Sequence, residues 1–183
     1  IGPDISLTLF SLAPDDLEHT IMDGRARVGV GVFHQHRPGL AYEPLYSDPL
    51  DLYCGYAHPL YEKVKNNTVP RNLKDSDFAR RSYLSEKDVA PKTAHLKSTA
   101  MAHQMEGIAY LILSGCHIGY LPVSYAQRWV DEEKMISIQP DKYRLGSTIE
   151  IVTKKGASNT LIQQAFLKLL NENSASTSVD ISE

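Results

Sequence analysis

The stretch Val28-Gly29-Val30-Gly31-Val32 is the first indication of the fold class, because it consists only of valine and glycine. Such a run is typical of a short strand buried on both faces of a parallel sheet, and its glycines allow a ligand or another backbone to approach closely. Residues 14–24 precede it with a proline and two acids at their start and a glycine at their end, which predicts a helix. Apolar residues alternate over positions 5–10, which predicts a strand. The three segments together predict a β-α-β unit.

Strand and helix patterns continue to alternate after this unit. We predict a loop-rich connection over residues 34–48 and strands over 50–56, 78–84, 118–121, 135–138 and 148–153. Met101, Met105, Ile108 and Ile112 have helical spacing, so we predict a helix that begins between residues 99 and 104 and ends at Gly115. We predict further helices from residue 122 and from a cap at residue 158. This order favours an α/β fold with mostly parallel sheets, in which ligands bind at the carboxyl ends of strands.

The composition disfavours several classes of function. Among the 183 residues, 22% are charged and the net charge is -3, without a concentrated basic patch of the kind that binds nucleic acid. No signal peptide opens the sequence, and no apolar run reaches the roughly 20 residues that span a bilayer. We therefore expect a cytoplasmic protein with no membrane partner. Cys54 and Cys116 lie in apolar surroundings, which favours buried thiols; the alternative is a redox switch at Cys116, which His117 follows.

Sequence signatures of enzymes and metal sites are missing. No G-x-S-x-G, H-E-x-x-H, phosphate-binding loop or G-x-G-x-x-G occurs, so we predict neither catalysis nor a cofactor. The adjacent acids Asp15-Asp16 and Glu132-Glu133 point apart on a helix and are expected to be solvated. His34 and His36 lack the two further ligands that a zinc site needs, so we predict no metal.

Several landmarks, in this order and at this spacing, resemble the effector-binding domain of LysR-type transcriptional regulators. The resemblance covers roughly residues 5–172, and its landmarks are the first strand and helix with Gly24, the strand ending at Val32, Leu50-x-Leu52 followed after five residues by His58-Pro59-Leu60, the turn Gly115-x-x-Ile118-Gly119-Tyr120-Leu121-Pro122, and Ile149-Glu150-Ile151-Val152 with a closing helix over 161–170.

The resemblance implies a particular architecture and set of partners. It implies two Rossmann-like lobes, like those of type 2 periplasmic binding proteins, joined by a two-strand hinge. Lobe one would contain residues 1–52 and 147–183, and lobe two residues 53–146. A small-molecule effector would bind between the lobes of a homodimer or homotetramer. Promoter DNA would be bound by a winged-helix domain absent from this sequence, as are the first strand and helix of the family's effector domain. Arg27 stands where many members carry aspartate.

The same resemblance places eight candidate effector contacts at strand and helix ends facing the cleft. They are Val32, Phe33, His34, Ser82, Tyr83, Met101, His103 and Pro122. Each also has an ordinary structural role open to it, as loop packing, a satisfied surface hydroxyl or a helix cap. The hydroxyls, and the backbone N–H groups at the helix start, favour a small anion or carboxylate as the effector.

Two other functions remain open at this point. One is a free-standing solute-binding protein of the type 2 periplasmic fold, which would gain nothing from oligomerising. The other is a small α/β enzyme, which would need a reactive cluster that the sequence does not display. Oligomerisation separates the sensor from the solute-binding protein, and turnover identifies an enzyme.

Overall fold

The computed structural model describes residues 6–82, 96–158 and 160–174. The strands are β1 (Gly29–Gly31), β2 (Leu40–Ser47), β3 (Leu50–Gly55), β4 (Asp77–Arg81), β5 (Lys97–Ala102), β6 (Ile118–Pro122), β7 (Met135–Ser137) and β8 (Thr148–Lys154). The helices are α1 (Pro14–Met22), α2 (Tyr61–Lys65), α3 (Met105–Leu113), α4 (Val123–Asp131), α5 (Pro140–Tyr143) and α6 (Leu161–Ser174). Among the described residues, no helix combines the length and the apolar character needed to cross a membrane.

Two sheets divide the chain between them. The first has the order β1-β8-β2 and uses both ends of the described chain, and the second has the order β5-β4-β6-β3-β7 and uses the middle. The predicted α/β fold with two lobes is confirmed by this division. The exact lobe boundaries at residues 52 and 147 stay a prediction.

The chain crosses between the sheets at two places that lie side by side. The first crossing is residues 48–49, and the second is residues 144–147. Leu50 and Leu145 exchange two backbone hydrogen bonds of 2.9 Å, and the Asp48 N–H donates to the Ser147 carbonyl at 3.0 Å. This antiparallel pairing is the two-strand hinge that the sequence predicts.

An ion pair between Arg144 and the buried carboxylate of Asp51 holds the second crossing against β3. Asp51 is 3% exposed, and its two carboxylate oxygens accept hydrogen bonds from Nε and Nη2 of Arg144 at 2.7 and 2.9 Å. The Ser137 hydroxyl adds a third bond at 3.0 Å. The hydrogen bonds to Asp51 raise the pKa of Arg144, as expected for a cation in contact with a carboxylate. Fork-to-fork pairing fixes both distance and orientation, so the crossing has a defined geometry.

The prediction of mostly parallel sheets is wrong for the described strands. β4 runs parallel to β5 and β6, whereas β1 and β2 pair antiparallel with β8, and β3 pairs antiparallel with β6 and β7. The predicted parallel partner of β1 was the segment 5–10. Residue 5 lies outside the described residues, and residues 6–13 form no helix or strand, with Leu7 and Leu9 exposed. An alternation of apolar and polar residues does not by itself make a strand, and no described strand pairs with residues 6–10.

The predicted loop over residues 34–48 contains an eight-residue strand, β2. Pro44 caused the error, because proline removes a ladder hydrogen bond and is rare inside sheets. β2 lies at the edge of its sheet, and its register against β8 shifts between Pro44 and Tyr46. An edge position and a bulge are the two settings in which a strand tolerates proline.

The predicted starts of two helices, α3 and α6, need correction. Met101 has helical spacing to Met105 but lies in β5, because residues 97–102 pair with the parallel strand β4 and α3 starts only at Met105. Gly115 follows α3 with a φ of 74°, as its predicted role as a stop requires. The cap of α6 is Thr160 and not Ser158, since the Thr160 hydroxyl accepts a hydrogen bond from the Gln163 N–H at 3.2 Å.

The core is concentrated on the second sheet. Side chains of β3 alternate between two buried clusters: Leu52 and Cys54 pack on one face, and Tyr53 packs on the other with Ile108 and Ile112 of α3. The first sheet has a smaller buried cluster. Lobe two is therefore the more extensively packed of the two.

Gly55 lets α3 approach the end of β3 at backbone distance. A Cβ at this position would lie 2.2 Å from the Ile112 carbonyl oxygen, and backbone cannot move aside as a side chain can. We expect Gly55→Ala to lower the free energy of unfolding by about 1–3 kcal/mol, the usual cost of overpacking. Gly146→Ala is the control, because no atom lies within 4 Å of its added methyl group. Urea denaturation of both variants tests this, and equal stability of the two would contradict it.

The two cysteines differ in exposure, which partly corrects the expectation that both are buried. Cys54 is buried in β3, and burial raises the pKa of its thiol to about 12. Cys116 is exposed because it lies in the turn after α3. We expect one thiol per folded chain to react with Ellman's reagent near neutral pH and two after unfolding, since the thiolate is the reactive form. Rapid labelling of Cys54 in the folded chain would show that the core around β3 opens readily.

Candidate ligand-binding cleft

A cleft of about 900 Å³ lies between the two sheets. Its walls come from residues 9–12, α1, β1 and the following loop on the first-sheet side, from Arg81, α3 and α4 on the second-sheet side, and from both crossings of the hinge. This volume falls within the range of pockets that hold small organic molecules. Most of the lining side chains are apolar or aromatic, with a few polar groups among them.

Four of the eight predicted contact residues line the cleft: Val32, Phe33, His34 and Pro122. Their positions at the end of β1 and of β6 explain this, because strand ends point into the space between sheets. Phe33 is 9% exposed and packs edge-on against Tyr42 at a centroid distance of 5.3 Å. Whether any of these residues contacts a ligand stays a prediction.

Ser82, Met101 and His103 lie outside the lining of the cleft, and Tyr83 lies outside the described residues. Ser82 follows β4, and its hydroxyl lies 2.9 Å from Nδ1 of His103. This pair bridges the ends of the parallel strands β4 and β5. Met101 is 52% exposed on β5, because this segment is a strand and not the first turn of the helix.

Several lining residues were missed by sequence reasoning, and Arg81 is the most informative. It is the last residue of β4, is 7% exposed and lines the cleft. The strand was expected to continue through Ser82 and Tyr83, so the candidates were placed one and two residues too late. The adjacent pair Arg80-Arg81 was a usable signal, since neighbouring residues on a strand face opposite sides and one arginine must point inward.

Asp48 is the buried carboxylate of the cleft. It is 5% exposed, and its oxygens accept hydrogen bonds from the Ser124 hydroxyl at 2.6 Å and the Ser124 N–H at 3.3 Å. Ser124 is the second residue of α4, so Asp48 caps the positive end of that helix from another segment. The hinge thereby gains a direct link to α4, which the Val123 N–H strengthens by donating to the Pro49 carbonyl at 2.9 Å.

A polar network behind the cleft holds the loop that carries Val32, Phe33 and His34. Glu18 of α1 is 3% exposed and receives hydrogen bonds from the Tyr42 hydroxyl and from Nε of Arg37, the latter at 2.6 Å. Burial, followed by the bond to Glu18, raises the pKa of Tyr42. The loop is thus anchored to α1 and β2 through charged and aromatic side chains.

His36 adds a second anchor to the same loop. Its ring stacks on Tyr42 at a centroid distance of 4.1 Å, and its Nε2 lies 3.1 Å from a carboxylate oxygen of Glu150 on β8. These contacts lie within lobe one and give His36 a structural role there. In the part of the chain that the structure describes, no three His, Cys, Asp or Glu side chains are grouped so as to hold a metal ion.

Arg37→Met tests this anchoring. The change leaves the buried Glu18 carboxylate without its cation, so we expect a lower melting temperature and weaker protection of the loop backbone against hydrogen exchange. Lys168→Met is the matched control, because its ion pair with Glu172 is 3.7 Å long and both side chains are more than half exposed. A control that destabilises the chain as much as Arg37→Met would show that the network contributes nothing specific.

Comparisons with known proteins identify relatives of this chain. A family model described as the LysR substrate binding domain matches residues 2–175. The HTH-type transcriptional activator BauR of Pseudomonas aeruginosa is 31% identical over 167 residues, which cover 91% of this chain and 55% of BauR. The chain therefore spans about half the length of the curated relative that it matches.

Solved structures share the fold at low sequence identity. The regulatory domain of HypT from Salmonella typhimurium has a TM-score of 0.72 and 13% identity, covering 96% of this chain and 86% of that one. The effector binding domain of QuiR in complex with shikimate has a TM-score of 0.74 and 12% identity, covering 94% and 83%. The CcmR regulatory domain of Synechocystis in complex with 2-PG has a TM-score of 0.69 and 17% identity, covering 90% and 81%.

Proposed function

The chain belongs to the LysR substrate-binding domain family, and from that premise we propose that it senses a small-molecule effector for a LysR-type transcriptional regulator. The observation that carries the proposal is the cleft of about 900 Å³, whose walls come from both sheets and from both crossings of the hinge. A ligand bound there contacts both lobes at once. It therefore binds one arrangement of the lobes more tightly than another and shifts the population towards it.

The relatives support this function by their regulatory role and by the small molecules bound in their structures. BauR is a transcriptional activator, and the domains of QuiR and CcmR were solved with shikimate and 2-PG. We propose by analogy that a winged-helix domain outside this chain reads promoter DNA, that the regulator is a cytoplasmic homodimer or homotetramer, and that it has no catalytic activity. We also propose that the effector is anionic.

The contact residues and lobe boundaries belong to the same proposal. Val32, Phe33 and His34 from lobe one and Pro122 from lobe two would contact the effector, with the Ser82–His103 pair close to the rim. Lobe one would contain residues 1–52 and 147–183, and lobe two residues 53–146. The crossings at residues 48–49 and 144–147 lie close to these boundaries and support them.

Ligand screening on the folded chain tests the sensor function. We expect some of a panel of organic acids, amino acids and neutral aromatic metabolites to raise the melting temperature saturably, because a ligand that binds only the folded state stabilises it. His34→Trp should abolish the shift by filling the cleft from an exposed position on its wall. Glu43→Trp, exposed on β2 and outside the cleft, should leave it unchanged. Equal loss in both variants would place binding elsewhere.

The oligomeric state separates this proposal from the free-standing solute-binding protein. Sedimentation equilibrium of the chain should give a dimer or tetramer if the domain belongs to an oligomeric regulator. A strictly monomeric chain that binds its ligand tightly would favour the solute-binding protein instead.

A further inference from the structure

Arg81 places a buried cation at the end of β4, inside the cleft. Its residue is 7% exposed, and it lines the cleft, whereas its neighbour Arg80 does not. Among the described residues that line the cleft, Arg81 is the one lysine or arginine. A guanidinium stays cationic and offers a planar fork of donors that matches a carboxylate with two parallel hydrogen bonds. A charge-assisted pair of this kind is strongest where water is largely excluded.

The helix N-termini around the cleft are poor alternative sites for an anion. The positive end of α4 is capped by Asp48, whose carboxylate bonds to Ser124. α1 begins with Pro14, which has no N–H, and carries acids in its first turn. α3 carries Glu106 in its first turn. Because α4 is capped by Asp48 and the first turns of α1 and α3 carry acids, these helix ends attract an anionic group in the cleft less than Arg81 does.

The hinge wall of the cleft carries a negative charge. Asp48 precedes β3, and β3 is separated from β4 by the single strand β6. The parallel register of β4 and β6 puts Arg81 level with Leu121, which pairs with Asp51 on β3. Asp48 lies three residues before Asp51, so the backbones of Arg81 and Asp48 are roughly 14 Å apart. The N-terminus of α4 offsets part of the charge on Asp48, and the remainder disfavours a second carboxylate beside it, since like charges repel. The lining side chains that complete the walls include Phe10, Leu12 and Val30, which suit an apolar body.

We propose that the cleft binds organic monocarboxylates with an apolar aliphatic or aromatic body, and that Arg81 binds the carboxylate. The proposal rests on the sensor function proposed above and names its ligand class. Arg81 supplies the affinity for one carboxylate, and Asp48 selects against dicarboxylates of similar length.

Matched pairs of small molecules test the assignment to Arg81. The probes are hexanoate with hexanamide and benzoate with benzamide, titrated calorimetrically into the 183-residue chain. The amide keeps the shape of the acid and removes the charge. We expect the wild-type chain to prefer the carboxylate of each pair, and Arg81→Gln to reduce that preference roughly 10- to 100-fold.

The preference for acid over amide does not depend on the overall stability of the variant, so it separates recognition from a merely structural role. Arg80→Gln is the matched control on the same strand, and it should keep the wild-type preference. Arg81→Lys keeps the charge without the fork and should give an intermediate preference. A preference that survives in Arg81→Gln overturns the role of Arg81.

Dicarboxylates test the role of Asp48. Adipate and terephthalate should bind the wild-type chain more weakly than hexanoate and benzoate, and Asp48→Asn should narrow that gap. Dicarboxylates that bind the wild-type chain as well as the monocarboxylates overturn the selectivity. Saturable binding of the neutral amides alone overturns the carboxylate assignment and leaves the sensor function standing, whereas no binding of any probe or panel compound overturns both.

Discussion

The pairing of the two chain crossings is the constraint on which this structure depends. Leu50 and Leu145 exchange two hydrogen bonds, and Asp51 grips Arg144 through both carboxylate oxygens. The two sheets have no strand in common, so their relative placement is set by this short antiparallel hinge and by what lies in the cleft beside it. A buried carboxylate whose two oxygens both accept hydrogen bonds from one arginine tolerates little change of geometry, so the hinge has a defined geometry. The arrangement of the two lobes, and with it the shape of the cleft, depends on the geometry of this hinge.

The unequal cores of the two lobes give them different mechanical characters. In lobe two, β3 is buried along its whole length, and Gly55 and Gly119 let α3 lie close against the sheet. In lobe one, the loop from Val32 to His36 is held by a few polar contacts around Glu18 and Tyr42. A loop held mainly by side-chain hydrogen bonds opens locally more readily than a segment under close apolar packing. Adaptation to a ligand is therefore concentrated on the lobe-one side of the cleft.

The order of elements was largely predictable from the sequence, because buried strands and amphipathic helices leave strong periodic patterns. The errors arose where pairing partners decide the structure. β2 was hidden by Pro44, which only an edge strand with a bulge can accept, and β5 was hidden by apolar residues that happen to repeat at helical spacing. The site was harder to predict, since its walls come from segments far apart in sequence. Val32 and Pro122 were found through strand ends, while Asp48 and Arg81 belong to no motif and become cleft residues only when the sheets face each other.

The bonds between the hinge and α4 couple that helix to the first crossing. Its first two residues are tied to Pro49 and Asp48 by three hydrogen bonds, so a rotation of the first crossing turns α4 with it. Nine helical residues extend about 13 Å, and a rotation of about 10° moves the far end by about 2 Å. Arg128 lies over the ring of Trp129 near that end, at 3.8 Å from its centroid. Since Ala126 is fully buried and Trp129 packs against the lobe-two core, such a rotation moves that core together with the part of the cleft wall that Ser124 and Tyr125 form.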